Sequence, residues 1–399
     1  MAKRRANGDG MIRRRADGRW EGRIVAGHTS DGKPIYRSVF ANTQSKLMPK
    51  LNALKETYAG VELNEDSHMT LGEWLDKWLT EYKAPMIRQS TVDGYKTYIN
   101  YIKPRLGSKP ITQVTTTDIQ KMYNTLKESG RMRESKTMGK TLSSAVVRSV
   151  HMLLHEAMDS AVLEGIVPRN PTNGTTIPRP THKEKTVLIE SQIETLMKAV
   201  EADEIWRDFF KTELMTGMRL GEICGLKWED FDEATEKLHV RRSVHYEHKQ
   251  PIIGETKTSE GNRSVTISRG LVELLAKRKK NALTEWIFPN PLKPELPMNP
   301  RAAYMRLKKL LGEADLPDMT FHELRHTFAT HSASSGIDPR TLASILGHTK
   351  ASFTLDTYTH ITTDMQNNAA EIVEDYITDI FGKELKPWEK GSANRATEH

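Results

Sequence analysis

The apolar residues of this chain change their spacing along the sequence, and this change limits the folds that it can adopt. Up to residue 40 they alternate loosely in short runs separated by turn signals, which is typical of β-strands. From residue 70 onward the spacing becomes helical. The first helical stripe consists of Leu71, Trp74, Leu75, Trp78 and Leu79. We therefore expect a multidomain protein that is mainly α and begins with a small β-sheet.

The first 60 residues predict a three-stranded sheet with one helix packed on it. The strands are expected at Met11–Arg15, Arg19–Ala26 and Pro34–Phe40, and the helix at Thr43–Tyr58, where Pro49 interrupts it. Asp17-Gly18, between the first two strands, is a strong signal for a tight hairpin. A two-residue loop at this point would fix which side chains share a face of the sheet. On that register Arg14, Arg19, Glu21 and Arg23 share one face, and Trp20 and Ile24 lie on the other, against the helix.

The positive charge of the chain is concentrated in this first module. Residues 1–60 hold 13 Lys/Arg against 5 Asp/Glu, whereas the remaining chain holds 46 against 47. A DNA backbone or an anionic membrane would attract such a module, and a solvated basic tail would show the same excess. Since a basic sheet face fits the major groove, we predict that Arg14, Arg19 and Arg23 bind DNA.

Two larger modules follow the sheet module. Residues 68–168 predict an all-α domain of four or five helices, the last of them at Ser135–Glu164, after a polar linker at 61–68. The Pro- and Thr-rich stretch Pro168–Thr186 indicates a second linker. Residues 186–382 predict a mixed α+β domain, with two or three short strands within Lys237–Ile267 and a hairpin near Ser259–Asn262. Residues 383–399 are polar and predict a tail.

The sequence also argues against several classes of protein. No run of 18 apolar residues indicates a membrane span, and no apolar segment follows the basic start as in a secretory signal. Cys224 is the only cysteine, so an intramolecular disulfide is impossible. It lies beside Leu220 and Ile223, and we expect it in the core. These features favour a cytoplasmic protein.

Three segments carry the residues that suggest chemistry. The first is Thr216–Leu226, with Arg219 three residues before Glu222. The second is Phe321–Thr327, which reads Phe-His-Glu-Leu-Arg-His-Thr. In the third, Leu346-Gly347-His348, nine residues separate His348 from Tyr358. In order and spacing these segments resemble the catalytic boxes of the tyrosine recombinases, also called the phage integrase family.

The resemblance extends over nearly the whole chain and implies a role for each module. Residues 1–60 resemble the arm-type DNA-binding domain of phage and conjugative-transposon integrases, and residues 68–168 resemble their SAM-like core-binding domain. Residues 186–382 resemble the tyrosine recombinase catalytic domain. The implied catalytic residues are Arg219, Lys257, His322, Arg325, His348 and Tyr358, with Glu222 as support for the first arginine. Lys249 lies near Lys257 and is the alternative choice for the catalytic lysine.

The chemistry of phosphodiester cleavage agrees with these residue types. Attack on phosphorus builds negative charge on the nonbridging oxygens, which the planar fork of arginine matches better than lysine does. Tyrosine is a weak nucleophile near pH 7, because its reference pKa is about 10. Two arginines and a histidine would favour its phenolate. Lys257 would donate the proton that the leaving 5′ oxygen needs. A phosphotyrosine retains the energy of the broken ester, so rejoining would require neither ATP nor a metal.

The resemblance implies an integrase that inserts and excises a mobile element of a prokaryote. Its expected partners are double-stranded DNA at core-type and arm-type sites, three further copies of the chain in a tetramer on two synapsed sites, and an excision factor. No membrane partner and no cofactor are expected.

Two other functions remain as alternatives. A regulator could use the same fold to bind DNA without cutting it. His322-Glu323-Leu324-Arg325-His326 also satisfies the H-E-x-x-H pattern of zinc metalloproteases, in which two histidines bind the metal and the glutamate acts as base. A positively charged arginine beside a metal ion is unfavourable, which argues against that alternative.

Overall fold

A computed structural model describes residues 10–132, 134, 139–179, 185–247, 250–255, 261–347, 373 and 375. The chain divides into two compact units, residues 1–183 and 184–399. The first contains the β-sheet module and the helical module, and the second contains the three segments that carry chemistry. No helix among the described residues is long and apolar enough to cross a membrane.

The first unit begins with an antiparallel three-stranded sheet in the order β1-β2-β3. Its strands are Met11–Arg14 (β1), Trp20–His28 (β2) and Pro34–Ala41 (β3), and helix α1 follows at Gln44–Thr57. Leu47 and Leu51 of α1 are fully buried. A Cβ atom on Gly22 of β2 would lie 3.2 Å from the Leu51 side chain, so the helix packs closely on that face.

The predicted register of the first hairpin is wrong by one residue. Arg15 and Arg19 close the hairpin through a backbone hydrogen bond of 2.8 Å, so the loop has three residues rather than two. Arg14 consequently pairs with Trp20, and Arg13 pairs with Glu21. Because opposite residues of antiparallel strands share a face, Arg14 lies on the Trp20 face and not with Glu21 and Arg23.

The face turned away from α1 is basic and aromatic. The Arg23 guanidinium lies 4.1 Å from the centroid of the Tyr36 ring, and those of Arg15 and Arg19 lie 5.4 and 5.7 Å from the centroid of Phe40. Both rings are exposed. Glu21 is buried on this face, and the negative charge of its carboxylate is compensated, since it accepts hydrogen bonds from Arg13 Nε and Ser38 Oγ.

The segment predicted as a polar linker at 61–68 is tied into the first unit. Leu63 is fully buried and its amide donates to the carbonyl of Ala26 in β2. Asn64 binds the end of the helical module, where its amide donates to Gly165 O and its side chain to Glu164 O. The prediction of a linker from the polar composition of residues 61–68 was therefore wrong, because one buried leucine and backbone hydrogen bonds hold this segment in the first unit.

The helical module consists of α2 Leu71–Lys77, continued by a π-helical turn Trp78–Lys83, then α3 Gln89–Leu106, α4 Thr116–Ser129 and α5 Ser144–Leu163. Trp74 and Trp78 are fully buried and donate from their indole nitrogens to Ala157 O and Ser160 Oγ of α5. Helix α5 begins at Ser144 rather than Ser135. Ser143 caps it by accepting a hydrogen bond from the amide of Val146.

In the described parts of residues 185–347, the helices of the second unit surround a core of apolar side chains. They are α6 Glu190–Glu201, α7 Arg207–Thr216, α8 Leu220–Cys224, α9 Arg269–Lys280, α10 Pro300–Glu313, α11 Phe321–Ser334 and α12 Pro339–Leu346. Phe209 and Phe210 of α7 lie in an aromatic cluster with Phe288 and Phe321. Cys224 is fully buried in the same core, as the sequence predicted.

Over the same described ranges, the strands of the second unit form three small antiparallel sheets. They are β4 Phe231–Asp232, β5 Lys237–Val240, β6 Arg242–Glu247, β7 Gln250–Glu255, β8 Arg263–Thr266, β9 Pro289–Asn290 and β10 Lys293–Pro297. Strands β4, β5 and β8 form one sheet, and β6-β7 and β9-β10 are hairpins. The described part of residues 237–267 thus holds four strands, not two or three, because the pair β6-β7 carries little apolar alternation. The predicted hairpin near Ser259–Asn262 falls partly on 256–260, outside the described residues.

Candidate active site

Arg219 stands where the chain reverses between α7 and α8. Gly217 ends α7 in the left-handed region at a φ of 57°, and a Cβ atom there would lie 2.4 Å from the Phe328 ring. Only glycine fits this turn, which aligns Arg219 at the start of α8. Glu222 then accepts from the Arg219 amide at 3.0 Å and from its Nη1 at 2.7 Å.

Arg325 lies in the second turn of α11 and is almost completely buried, with 3% of its surface exposed. Its Nη1 donates to Gly217 O at 2.8 Å, and its Nη2 donates to Leu346 O at 2.6 Å. Arg219 Nη2 donates to the next carbonyl, that of Gly347, at 2.9 Å. The two arginines, from different helices, therefore meet at adjacent peptides at the end of α12.

The end of α12 is a natural place to hold guanidinium groups. The last carbonyls of a helix have no partner within the helix, and they form the negative end of its dipole. Gly347 ends α12 in the left-handed region at a φ of 64°. The peptide that follows leads directly to His348.

Glu222 is buried and ionised beside two arginines. Its side chain is 3% exposed, and its second oxygen accepts from Arg263 Nη2 at 3.0 Å. Burial raises the pKa of the carboxyl, but the charges and hydrogen bonds of Arg263 and then Arg219 outweigh this and hold the pKa below its ordinary value. The carboxylate thus orients Arg219 with a charge-assisted bond.

His322 lies on α11, three residues before Arg325. The residue is exposed, yet its ring is partly desolvated, and this lowers its pKa together with the positive charges of Lys185, Arg325 and Arg219. The lowered pKa favours the neutral form of His322. A neutral imidazole can accept a proton or donate a hydrogen bond.

Glu323 has contacts that do not depend on a metal ion. It forms a capping box with Thr320 and accepts hydrogen bonds from the Thr320 amide at 2.7 Å and the Thr320 hydroxyl at 2.9 Å. His326 is buried, and burial followed by the charge of Lys185 lowers its pKa to about 4. Across the described ranges no three His, Cys, Asp or Glu side chains are grouped so that they could hold a metal ion.

Three of the predicted catalytic residues lie outside the described residues. These are Lys257, which falls between β7 and β8, and His348 and Tyr358, which follow α12. Lys249, the alternative lysine, lies outside them as well. Of the predicted set, the structure brings together Arg219, Glu222, His322 and Arg325.

Two buried charged residues at this site were missed by the sequence analysis. Arg263 on β8 contacts Glu222, and Glu213 on α7 lies near Arg325. Arg263 stands in a short strand between the polar residues Asn262 and Ser264, and Glu213 follows a threonine in an ordinary helix, so neither has a local signal. Only tertiary contacts identify them.

Glu213 is a buried carboxyl whose protonation state in the folded chain can be tested. It is fully buried, and neither side-chain oxygen has a hydrogen-bond partner among the described residues. Burial raises the pKa of its carboxyl well above the ordinary value, although the Arg325 guanidinium opposes the shift. As the pH rises above 4.5, the unfolded chain releases a proton that the folded chain keeps, so folded stability falls until the folded pKa is passed.

Glu213→Gln is therefore expected to be more stable than the wild type near pH 8 and nearly equal to it near pH 4. Urea unfolding across this range measures the difference. Glu273→Gln, at an exposed position of α9, is the control and should follow the wild type. Parallel pH profiles for Glu213→Gln and the wild type would show that the carboxyl is ionised in the folded chain.

The sequence was compared with models of protein families. Residues 186–365 match the model described as the phage integrase family, and residues 70–127 match the phage integrase N-terminal SAM-like domain. The chain belongs to the phage integrase family. Its catalytic-domain match spans Arg219, Glu222, His322 and Arg325, and extends over His348 and Tyr358.

Relatives of this integrase-family chain cover most of its length. A protein of Caldanaerobacter subterraneus named "Tyrosine recombinase XerC-like" is 28% identical over 88% of this chain and 95% of the relative. The transposase from transposon Tn916 of Enterococcus faecalis is 26% identical over 89% of this chain and 95% of the relative. Both alignments thus extend beyond the two segments that the family models match.

Solved structures agree in fold. The Tn1549 transposon integrase, solved with a circular intermediate DNA, matches with a TM-score of 0.64 and 23% identity, over 76% of this chain and 99% of that one. A lambda integrase dimer bound to a core site matches with a TM-score of 0.58 and 19% identity, over 90% and 97%. At these identities the likeness establishes the tyrosine recombinase fold.

Proposed function

We propose that this tyrosine recombinase is a site-specific integrase that cleaves and rejoins DNA through a covalent 3′-phosphotyrosine formed at Tyr358. The observation that carries the proposal is the convergence of Arg219 and Arg325 on the carbonyls of Gly347 and Leu346, just before His348. Two guanidinium groups held in this way form a binding site for one phosphate.

Each residue has a defined part in the proposed reaction. The Tyr358 oxygen attacks the phosphorus of one phosphodiester, and the bond from phosphorus to the 5′ oxygen breaks. Lys257 gives a proton to that leaving oxygen. His322 and His348 assist in accepting the phenol proton, for which the neutral form of His322 is suited. Arg219 and Arg325 stabilise the charge on the nonbridging oxygens.

Preorganisation supports this assignment of the arginines. Arg325 is fixed by two carbonyls, and Arg219 is fixed by Glu222 and Gly347. Donors that are already in place need little reorganisation when charge develops in the transition state. Reversal of the same steps by the free 5′ hydroxyl rejoins the strand, and the proposed chemistry calls for no cofactor.

We further propose that the chain integrates and excises a mobile element in the bacterial cytoplasm, as a tetramer on two synapsed core sites. The solved structures support this, because one of them is a lambda integrase tetramer bound to a Holliday junction. An excision factor is a further proposed partner, since the chain resembles integrases that use one.

The basic and aromatic face of the N-terminal sheet is the proposed contact with arm-type DNA. Arg23, beside the exposed Tyr36, and Arg19, beside Phe40, lie on this face. Arg13 replaces Arg14 in the proposal, because the observed register places Arg14 on the Trp20 face. The exposed rings hold the guanidinium groups in place and provide apolar contact area for DNA.

Arg23→Gln is expected to weaken binding to arm-site DNA about tenfold and to lower the dependence of log K on log salt by about 1, because one phosphate contact is lost. Arg14→Gln carries the same change of charge on the other face and should bind within about twofold of the wild type. Fluorescence anisotropy at several salt concentrations measures both. Equal losses for the two variants would contradict the proposed face.

A nicked DNA substrate that traps the intermediate tests the proposed function as a whole. The full-length protein, incubated with DNA from the ends of its element, should form a strand–protein adduct that survives denaturation, with or without EDTA. Peptide mapping should place the strand on Tyr358. Specific binding without an adduct would favour the DNA-binding regulator, and an activity abolished by EDTA would favour the metalloprotease.

A further inference from the structure

Three consecutive backbone carbonyls at the end of α12 each accept a hydrogen bond from a different arginine. The acceptors are the oxygens of Ile345, Leu346 and Gly347, and the donors, in the same order, are Arg263 at 2.6 Å, Arg325 at 2.6 Å and Arg219 at 2.9 Å. Two of these donors belong to the proposed phosphate site. The third, Arg263, has no assigned role.

Arg263 is as buried as the carboxylate that it contacts. Its side chain is 6% exposed and that of Glu222 is 3% exposed, whereas the Arg219 side chain is 40% exposed. Glu222 uses one oxygen for Arg263 and the other for Arg219. The carboxylate is therefore held between an inner arginine, which solvent hardly reaches, and an outer arginine, which a ligand can reach.

Arg263 links several parts of the site through its place in the chain and its hydrogen bonds. It is the first residue of β8, and residues 256–260, which include Lys257, lie shortly before it in the sequence. Its Nη1 also donates to Gly261 O at 3.3 Å. One guanidinium thus joins the start of β8, the Glu222 carboxylate on α8 and the end of α12.

We propose that Arg263 is a positioning residue for strand cleavage, which it serves by fixing Glu222 against Arg219 and by anchoring the end of α12. The inference rests on the proposed function. Without Arg263, the Glu222 carboxylate keeps Arg219 as its single cationic partner and is no longer tied to β8, and the Ile345 carbonyl loses its donor. Arg219 and the peptide that leads to His348 then lose their common support.

Arg263→Gln in the full-length protein tests this inference. We expect the single-turnover cleavage rate to fall on the order of 10–100-fold, because small misplacements of a catalytic group cost up to about 10²-fold in rate. The dissociation constant for core-site DNA should stay within about threefold, since the Arg263 guanidinium is engaged by Glu222, Ile345 O and Gly261 O. Arg269→Gln, whose side chain is 88% exposed on α9, is the matched control and should cleave at the wild-type rate.

A double-mutant cycle separates positioning from general stability. In an Arg219→Lys background, where the fork that Arg263 supports is already absent, Arg263→Gln should slow cleavage by less than about threefold. An equal loss in both backgrounds would overturn the inference, and so would wild-type cleavage by Arg263→Gln. Should Arg263→Gln fail to fold, Arg263→Lys replaces it in the same cycle with the same expected non-additivity.

The proposed function and this inference fail in different ways. If the wild-type protein forms no tyrosine-linked strand, the proposed function fails and the inference with it. If the wild type forms the adduct and the cycle is additive, only the role of Arg263 is refuted.

Discussion

Tyr358→Phe is expected to abolish the covalent protein–DNA adduct completely, while the affinity for core-site DNA changes by less than about twofold. The substitution removes one oxygen atom, which is the proposed nucleophile, and keeps the aromatic ring. Without that oxygen no bond to phosphorus can form, so the adduct should be absent at any reaction time. A denaturing gel with labelled nicked DNA measures the adduct.

Tyr304→Phe is the matched control for this experiment. Tyr304 lies on α10, where the Lys308 ammonium is 5.2 Å from the centroid of its ring, and it takes no part in the proposed site. It should form the adduct at the wild-type rate. An adduct that persists in Tyr358→Phe would show that another residue is the nucleophile.

Arg325→Lys is expected to slow cleavage on the order of 10²–10³-fold, with binding to core-site DNA within a few-fold of the wild type. Lysine keeps the positive charge but replaces a rigid fork with one ammonium group. The two carbonyls that Arg325 bridges, those of Gly217 and Leu346, need two separate nitrogen atoms. The loss of a single preorganised donor group in other active sites has an effect of this size.

The measurement for Arg325→Lys is the single-turnover rate on the nicked substrate, with DNA bound to saturation. Arg306→Lys makes the same chemical change at a partly buried ion pair with Asp203 and should leave the rate unchanged. A rate for Arg325→Lys within about tenfold of the wild type, in a folded protein, would show that charge alone suffices at this position.

Much of the organisation of this chain could be predicted from short-range patterns. The sequence predicts helices at Thr116–Ser129 and His322–Ser335, and α4 and α11 begin and end within one residue of these bounds. Helix caps and helical stripes are local signals. The buried stripe at Leu71, Trp74 and Trp78 was predicted for the same reason. Strand pairing was less predictable, since one extra loop residue between Arg15 and Arg19 reverses the faces of a whole strand.

In the candidate site, too, some residues could be predicted from the sequence and others could not. The order and spacing of the boxes indicated Arg219, His322 and Arg325 as a group, together with Lys257, His348 and Tyr358, whose assignment remains a prediction. No pattern indicated Arg263 or Glu213. A buried arginine in a short strand and a buried glutamate in a helix look like surface residues, and only the side chains packed around them make them part of the site.

The sequence by itself indicated the family of this protein through the resemblance of three segments to the tyrosine recombinase boxes, and its change of periodicity indicated a small sheet followed by helices, because these signals are local. The tertiary structure alone decided where the arginines are held. Side chains from α8, β8 and α11 meet at three successive carbonyls of α12, and such a meeting depends on contacts between residues that are distant in the chain.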